Sequence, residues 1–276
     1  MALTESRIAD ILQSVCYYCY ELSRSPGILS PSKPGRAPPI RDRGQKRKEI
    51  KIEICKGEKS EMQTSESFRL SAILSFSGGL QDAYTYNVRG NVFANAQTGN
   101  VVLMSQNFMM GNWNSGIQYM LPLISFASGV FITEQIEYRY KSSKGIHWRQ
   151  IILLIEIVLL CIVGLMPVDI NIAANMLVSF TCAMQVQAFR KVHGYGYAST
   201  MCIGNLRSGT ESLSHFLRNR DQASLSKALH FFSIILFFAI GAGAGGILSN
   251  VLHVKTIWVS PLLLMAVTVM MIKENR

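Results

Sequence analysis

The chain has 276 residues, 49% apolar and 16% charged, with 27 Lys and Arg against 17 Asp and Glu for a formal net charge of +10. Its windows free of Asp, Glu, Lys and Arg, namely Asn171–Phe189, Ala228–Asn250 and Thr256–Ile272, exclude an ordinary soluble protein, because about 20 apolar residues suffice to cross roughly 30 Å of hydrocarbon. The basic excess flanks those windows, so it reads as a topology signal rather than a nucleic-acid footprint.

Residues 1–61 differ from the rest. Ser25–Lys59 is rich in Pro, Gly, Lys and Arg, including Pro26, Pro31, Pro34, Pro38 and Pro39. It buries too little apolar surface to fold, which predicts disorder. The seven basic residues between Arg36 and Lys51 suit an anionic membrane surface. Alternatively, 1–61 is an extension that is not part of the natural protein, and synthesis starts at Met62, downstream of Lys56-Gly57-Glu58, a tripeptide that purine-rich codons can encode. Met1–Gly27 lacks the apolar core and small-residue cleavage site of a signal peptide. Cys16-Tyr-Tyr-Cys19 has redox spacing without the strand–helix context that gives it meaning. With Cys55 they form no metal-like set, and Cys161, Cys182 and Cys202 read as small packing residues in apolar segments.

From Leu70 onward a polar, glycine-bearing segment occurs twice. Gln81, Val88, Gly90 and Ala94 recur as Gln185, Val192, Gly194 and Ala198 at a spacing of 104 residues, and Gly99-Asn100 recurs as Gly204-Asn205 at 105. The predicted elements follow the same duplication. The first half reads Leu70–Val88, Gln97–Met110, Ile117–Ile136 and Gln150–Met166; the second reads Asn171–Phe189, Thr200–Phe216, Ala228–Ser249 and Thr256–Ile272. Internal duplication with polar residues at membrane depth is a pattern of transport folds.

In Leu70–Val88, Asp82 lies twelve residues in, roughly 18 Å at about 1.5 Å per residue, near the bilayer midplane. A carboxylate there is costly unless paired, hydrated or protonated, so it predicts a proton or cation site; a structural ion pair with Arg207 is the plainer alternative. Gly78-Gly79 weakens the helix just before it, and Gln81 adds a second polar group. Arg89 falls in the following outer loop. Gln97-Thr98-Gly99-Asn100 and Ile203-Gly204-Asn205 open the two short segments. There Thr and Asn can cap a half-helix whose N-terminus carries partial positive charge, or the small residues simply let helices touch. Asn95, Ser199, Thr200 and Ser208 add hydrogen-bonding capacity. Arg207 either neutralises Asp82, binds an anion or pairs with Glu211 one turn on. Glu156, about 9 Å into its helix, is expected to reach water. Glu134 and Glu137 read as interfacial, His193 as solvated, and Gly241, Gly243, Gly245 and Gly246 as a close-packing face.

Charge sets the expected topology. Arg139, Lys141, Lys144 and Arg149 place one loop in the cytoplasm, the linker at Asp169 faces outward, and Arg190, Lys191, Arg218, Arg220, Lys227, Lys273 and Arg276 are cytoplasmic. Thr200–Phe216 then enters and leaves on one side, and by repeat logic Gln97–Met110 does the same from outside. The two halves are inverted; if both short segments crossed fully, the halves would run parallel.

Ser65-Glu66-Ser67-Phe68-Arg69-Leu70, Ser77-Gly78-Gly79-Leu80-Gln81-Asp82-Ala83 and Gly90-Asn91-Val92-Phe93-Ala94-Asn95-Ala96-Gln97-Thr98-Gly99-Asn100 together resemble the YoaK family of bacterial integral membrane proteins, a domain of unknown function. Gly79, Asp82, Ala83 and Thr98, Gly99, Asn100 carry the likeness, and Ile203-Gly204-Asn205 departs from it in the second half. The resemblance implies a six-helix inner-membrane protein and no established substrate.

The expected fold is an all-α polytopic membrane bundle of about six transmembrane helices plus two re-entrant half-helix segments, forming one membrane domain over 62–276 with halves at about 70–166 and 171–272. The expected activity is secondary transport of a small solute at Asp82, Gln81, Thr98, Gly99, Asn100, Gln185, Gly204, Asn205 and Arg207. The rivals are a non-transporting scaffold or sensor, and an intramembrane lipid-acting enzyme with Asp82 and Glu211 as its acids. Hydrolase and phosphate-loop signatures are missing, so neither catalysis nor a cofactor or metal is expected. The expected partners are the lipid bilayer, an unidentified solute or ion and a second copy of the chain, with both termini on the cytoplasmic side of the cell membrane.

Overall fold

The computed structural model describes residues 68–141, 147–192, 195–196 and 200–274. The expectations for 1–61, Met62 and Ser65–Ser67, and those for Lys144, His193, Gly194, Ala198, Ser199 and Arg276, lie outside the described residues.

Eight α-helices carry the described chain: α1 (Phe68–Val88), α2 (Gln97–Met109), α3 (Trp113–Tyr140), α4 (Trp148–Val163), α5 (Asn171–Ala188), α6 (Cys202–Asn219), α7 (Gln222–Leu252) and α8 (Val259–Glu274). Short 3-10 turns, Val168–Ile170 and His253–Trp258, precede α5 and α8. The strands among the described residues form one antiparallel hairpin, β1 (Lys191–Val192) with β2 (Tyr195–Gly196). The all-α expectation therefore holds.

Local chemistry explains the boundaries. Gly90 (φ 87°) and Asn91 (φ 60°) turn the chain out of α1, a left-handed conformation that glycine and asparagine adopt at least cost. Gly111 (φ 79°) turns it between α2 and α3. Arg220 (φ 54°) ends α6, and Asp221 starts α7 by accepting from the Ala223 and Ser224 amides, two of the donors a helix start leaves unsatisfied. Hydrogen bonds from the Ser224 hydroxyl and then the Ala223 amide hold the Asp221 carboxyl below its ordinary range. At α4, His147 Nδ1 accepts from the Arg149 amide while Gln150 Oε1 accepts from the His147 amide, a reciprocal cap.

α1 packs on α7, and α5 on α3; α2 lies on α3, and α6 on α7; α4 contacts α5, and α8 contacts α1 and α4. The apolar core sits between α1, α4, α5 and α8, around Leu70, Leu74, Ile152, Leu160, Val178 and Leu264. Two stretches, Trp113–Tyr140 and Gln222–Lys273, are long and apolar enough to cross a membrane, and less than a third of the apolar window of each is buried within the protein. α1 and α5 fall below that mark because they spend core positions on Ser71, Ser75, Ser77, Gln81, Asn175, Ser179, Thr181 and Gln185, all buried.

Two local expectations are corrected. α1 runs unbroken through Gly78-Gly79, so these residues do not soften the helix. They let it approach others: a Cβ at Gly79 would strike the Phe238 carbonyl of α7, and one at Gly78 the Thr200 side chain. Arg89 stands in the turn after α1 but is not a solvated loop cation. It is fully buried, donating to the Tyr84 hydroxyl at 2.7 Å and to the carbonyls of Val163, Met166 and Pro167 at 2.9, 2.8 and 3.0 Å. Its guanidinium thus satisfies the orphaned carbonyls at the C-terminal end of α4, where the helix dipole favours a cation.

Candidate functional site

A cavity of about 1090 Å³ opens among α1, α2, α3, α6 and α7. On α1 it meets Asp82, Ala83, Tyr86 and Asn87, one face of the helix by its i, i+4 spacing. The loop before α2 adds Phe93, Asn95 and Ala96, and α2 adds Gln97 and Thr98; across from them stand Thr200, Met201 and the first turns of α6, including Cys202, Ile203, Gly204, Asn205 and Ser208. Leu123, Phe126 and Ala127 of α3, Phe238 and Ala242 of α7, and Arg190 complete the wall. Both α2 and α6 therefore begin at this cavity, and neither has a side-chain cap, Ala96 and Met201 standing at the cap positions.

Asp82 is the acidic group on that wall. It is 6% exposed, and its Oδ1 accepts from the Asn95 amide at 2.7 Å, with the amides of Ala94 and Ala96 flanking the same carboxylate. The charge thus rests against backbone dipoles just ahead of α2. Among the described residues no ion pair joins Asp82 to Arg207 or Arg207 to Glu211; the ion pairs are Lys141–Glu137 at 3.0 Å and Arg190–Glu134 at 3.8 Å. Arg207 is exposed and off the cavity wall.

The remaining expected residues divide sharply. Thr98, Gly204 and Asn205 line the cavity, and Gly204 has open space where a Cβ would be. Gly99 is packed instead: a Cβ there would lie 3.3 Å from the Phe93 ring. Asn100 is buried and staples the preceding loop, accepting from the Phe93 amide and donating to the Phe93 carbonyl and to Gln97 Oε1. Gln81 faces away from the cavity, donating to Ser77 Oγ at 3.2 Å and accepting from the Cys182 thiol at 2.8 Å. Gln185 donates across to the Leu74 carbonyl at 3.2 Å. These two glutamines bind α1 to α5 from within.

Behind Gln81 lies a carboxyl that the distance from its helix end misjudged. Glu156 is 0% exposed and does not reach water. Gln81 is its polar neighbour, yet neither carboxyl oxygen has a hydrogen bond of acceptable geometry. Depth along a helix does not tell which face a residue occupies, and Glu156 faces the interior.

The aromatic walls were also missed. Phe126-Ala127-Ser128-Gly129 and Phe238-Ala239-Ile240-Gly241 share an F-A-x-G pattern 112 residues apart, a signal available in the chain. Both phenylalanines line the cavity, and both glycines press on a helix backbone: Gly241 on Phe76, Gly129 on Phe180. Tyr86 and Phe93 stack with centroids 4.8 Å apart. Among the described residues no group of three or more His, Cys, Asp and Glu could hold a metal ion.

Fold and cavity define the class: an all-helical protein with membrane-grade helical stretches around an apolar-walled cavity that holds one carboxylate. A family model described as "Protein of unknown function (DUF1275)" matches residues 70–270, and the chain belongs to that family. Comparison with curated proteins finds no match, and comparison with solved structures finds none.

Proposed function

We propose that this protein, of the YoaK type, is a multi-pass membrane permease for a small solute, working by alternating access between two inverted halves. The observation that carries the reading is the cavity itself: about 1090 Å³, met by the starts of α2 and α6 and holding a buried carboxylate on its wall. Carboxylates at membrane depth mark ion and substrate paths, and helix starts facing a midplane cavity recur in transporters built from repeats.

Helix pairing supports the duplication. The first helix of each half packs on the third helix of the other, the second on the third of its own half, and the fourth on the first of the other. Phe76 and Phe180, 104 residues apart, each receive one of the equivalent glycines. Six helices cross in this reading: α1, α3, α4, α5, α7 and α8. The 13-residue α2 reaches only about 20 Å at about 1.5 Å per residue, short of the hydrocarbon thickness. The 18-residue α6 is set apart by charge and not by length, since Arg190 before it and Arg218, Arg220 and Lys227 after it place both of its ends on one side. Exposed Ile124, Phe131, Leu236, Ile247, Leu262 and Val269 supply a lipid-facing surface of a kind that water-soluble monomers rarely show. Residues 62–276 form the working domain at the cell membrane, with both termini cytoplasmic and Asp82 as the proton or cation site.

The test is flux. Solutes that raise the melting temperature of the detergent-purified protein are loaded against proteoliposomes carrying a pH gradient. Uptake is expected to follow the gradient and to be lost in Asp82→Asn. Gradient-driven uptake that persists in that variant removes Asp82 from the mechanism; stability loss without any flux in the wild type favours the scaffold reading.

A further inference from the structure

Asp82 is the acceptor that the cavity wall offers: it is 6% exposed, and its Oδ1 accepts from the Asn95 amide at 2.7 Å. Asn95 stands beside it on the same wall, its Nδ2 donating to the Gly78 carbonyl at 3.1 Å, while its Oδ1 is buried beyond the reach of a ligand in the cavity. A buried carboxylate costs free energy unless a donor or cation answers it. Among the described residues no ammonium or guanidinium pairs with Asp82, and the cavity's one basic side chain, Arg190, lies 3.8 Å from Glu134.

The amides ahead of α2 are already answered by Asp82 itself, so this end of the cavity does not call for an anion. What it lacks is a donor carrying positive charge. The opposite walls are ring faces and aliphatic carbon: Phe93, Phe126, Phe238 and Leu123. Such surfaces accept an apolar body, and aromatic faces also attract a cation held over them.

We propose that the cavity binds an organic amine with an aromatic or bulky apolar body, its ammonium donating to the Asp82 carboxylate. This deepens the permease reading and rests on it only for the direction of travel; binding itself can be measured without flux.

The experiment titrates the full chain in detergent with three probes of one shape and different charge: phenethylamine, 2-phenylethanol and 3-phenylpropionate, read by calorimetry. Phenethylamine is expected to bind at least about tenfold tighter than the alcohol, as a charge-assisted hydrogen bond implies, with the carboxylate weakest. Asp82→Asn is expected to erase the amine's advantage and leave the alcohol unchanged, while the exposed Glu211→Gln, away from the cavity, keeps the wild-type order. Because Asp82 also holds the Asn95 loop, its variant can fail to fold; the charge series on wild-type protein then decides alone. Ala127→Trp, which fills the cavity from α3, is expected to abolish amine binding. Equal affinities, a preference for the carboxylate, no amine binding at millimolar concentration, or full amine affinity in Ala127→Trp overturns the proposal. Amine binding without gradient-driven flux defeats the permease reading and leaves this inference standing; flux of a solute that phenethylamine neither inhibits nor displaces does the reverse.

Discussion

Adjacent residues on α1 carry opposite duties. Asp82 turns to the cavity and Gln81 to the interior, because successive helical side chains point about 100° apart. The interior side then holds an uncompensated group. Glu156 is sealed from the surface, with Gln81 as its polar neighbour but no hydrogen bond of acceptable geometry to either carboxyl oxygen, and a buried ionisable group in that position costs free energy. Glu156→Gln keeps the shape and removes the ionisable proton, so its melting temperature is expected to stay level or rise by about 2–4 °C, the shift that 1 kcal/mol gives a domain of this size. A drop of more than about 4 °C in thermal melts means that the carboxyl has a stabilising role. Arg89 is the reverse case, a buried cation whose guanidinium meets carbonyls and hydroxyls in several directions. Arg89→Ala is expected to cost about 3 kcal/mol or more by stranding those carbonyls. Arg89→Lys should recover little, since a single ammonium cannot reproduce the fork. Full rescue by lysine in the same melts would sink the latch.

Pairs of helices are fastened by small residues. Gly241 meets the Phe76 backbone and Gly245 the Leu80 backbone, whereas Gly243 on the same helix has open space where a Cβ would be. Helices without a hydrophobic drive between them associate through such close approach. Gly241→Val is expected to cost at least about 1–3 kcal/mol, the usual scale of overpacking, and Gly243→Ala almost nothing; equal losses in thermal melts would mean that the α1–α7 seam does not depend on that contact. At the start of α4 the cap is sensitive to pH. Burial, and then the Arg149 guanidinium, lower the pKa of His147 from its ordinary value of 6.5, and its neutral Nδ1 accepts the Arg149 amide. A folded pKa below the unfolded one means that this stabilisation is full above about 6.5 and is lost as pH falls through the folded value. The protection of the Arg149 amide against exchange, corrected for the intrinsic pH dependence, is therefore expected to fall on acidification below the ordinary value of 6.5 more than in His147→Asn, whose side chain can accept at every pH. Identical acid responses in the two proteins would remove His147 as the cause.

Across the whole molecule, the proposed inverted arrangement makes a directional prediction. On a cysteine-free background, Asp169→Cys is expected to react with an impermeant maleimide from outside the cell and Asp221→Cys only after the membrane is opened. Labelling of both from outside means that α6 crosses fully and the halves run parallel. The all-helical fold was legible in the chain: the uncharged windows and their spacing follow from helix length and hydrophobic solvation, which are local properties. Asp82, Thr98, Gly204 and Asn205 could be singled out because polar or glycine positions inside apolar stretches are costly wherever they sit. Periodicity gives the angle between two side chains on one helix, but not which neighbour fills that angle. Only tertiary packing could therefore decide that Gln81, Gln185 and Asn100 are internal staples, that Glu156 is sealed from water, and that Phe126 and Phe238 face Asp82 across one cavity.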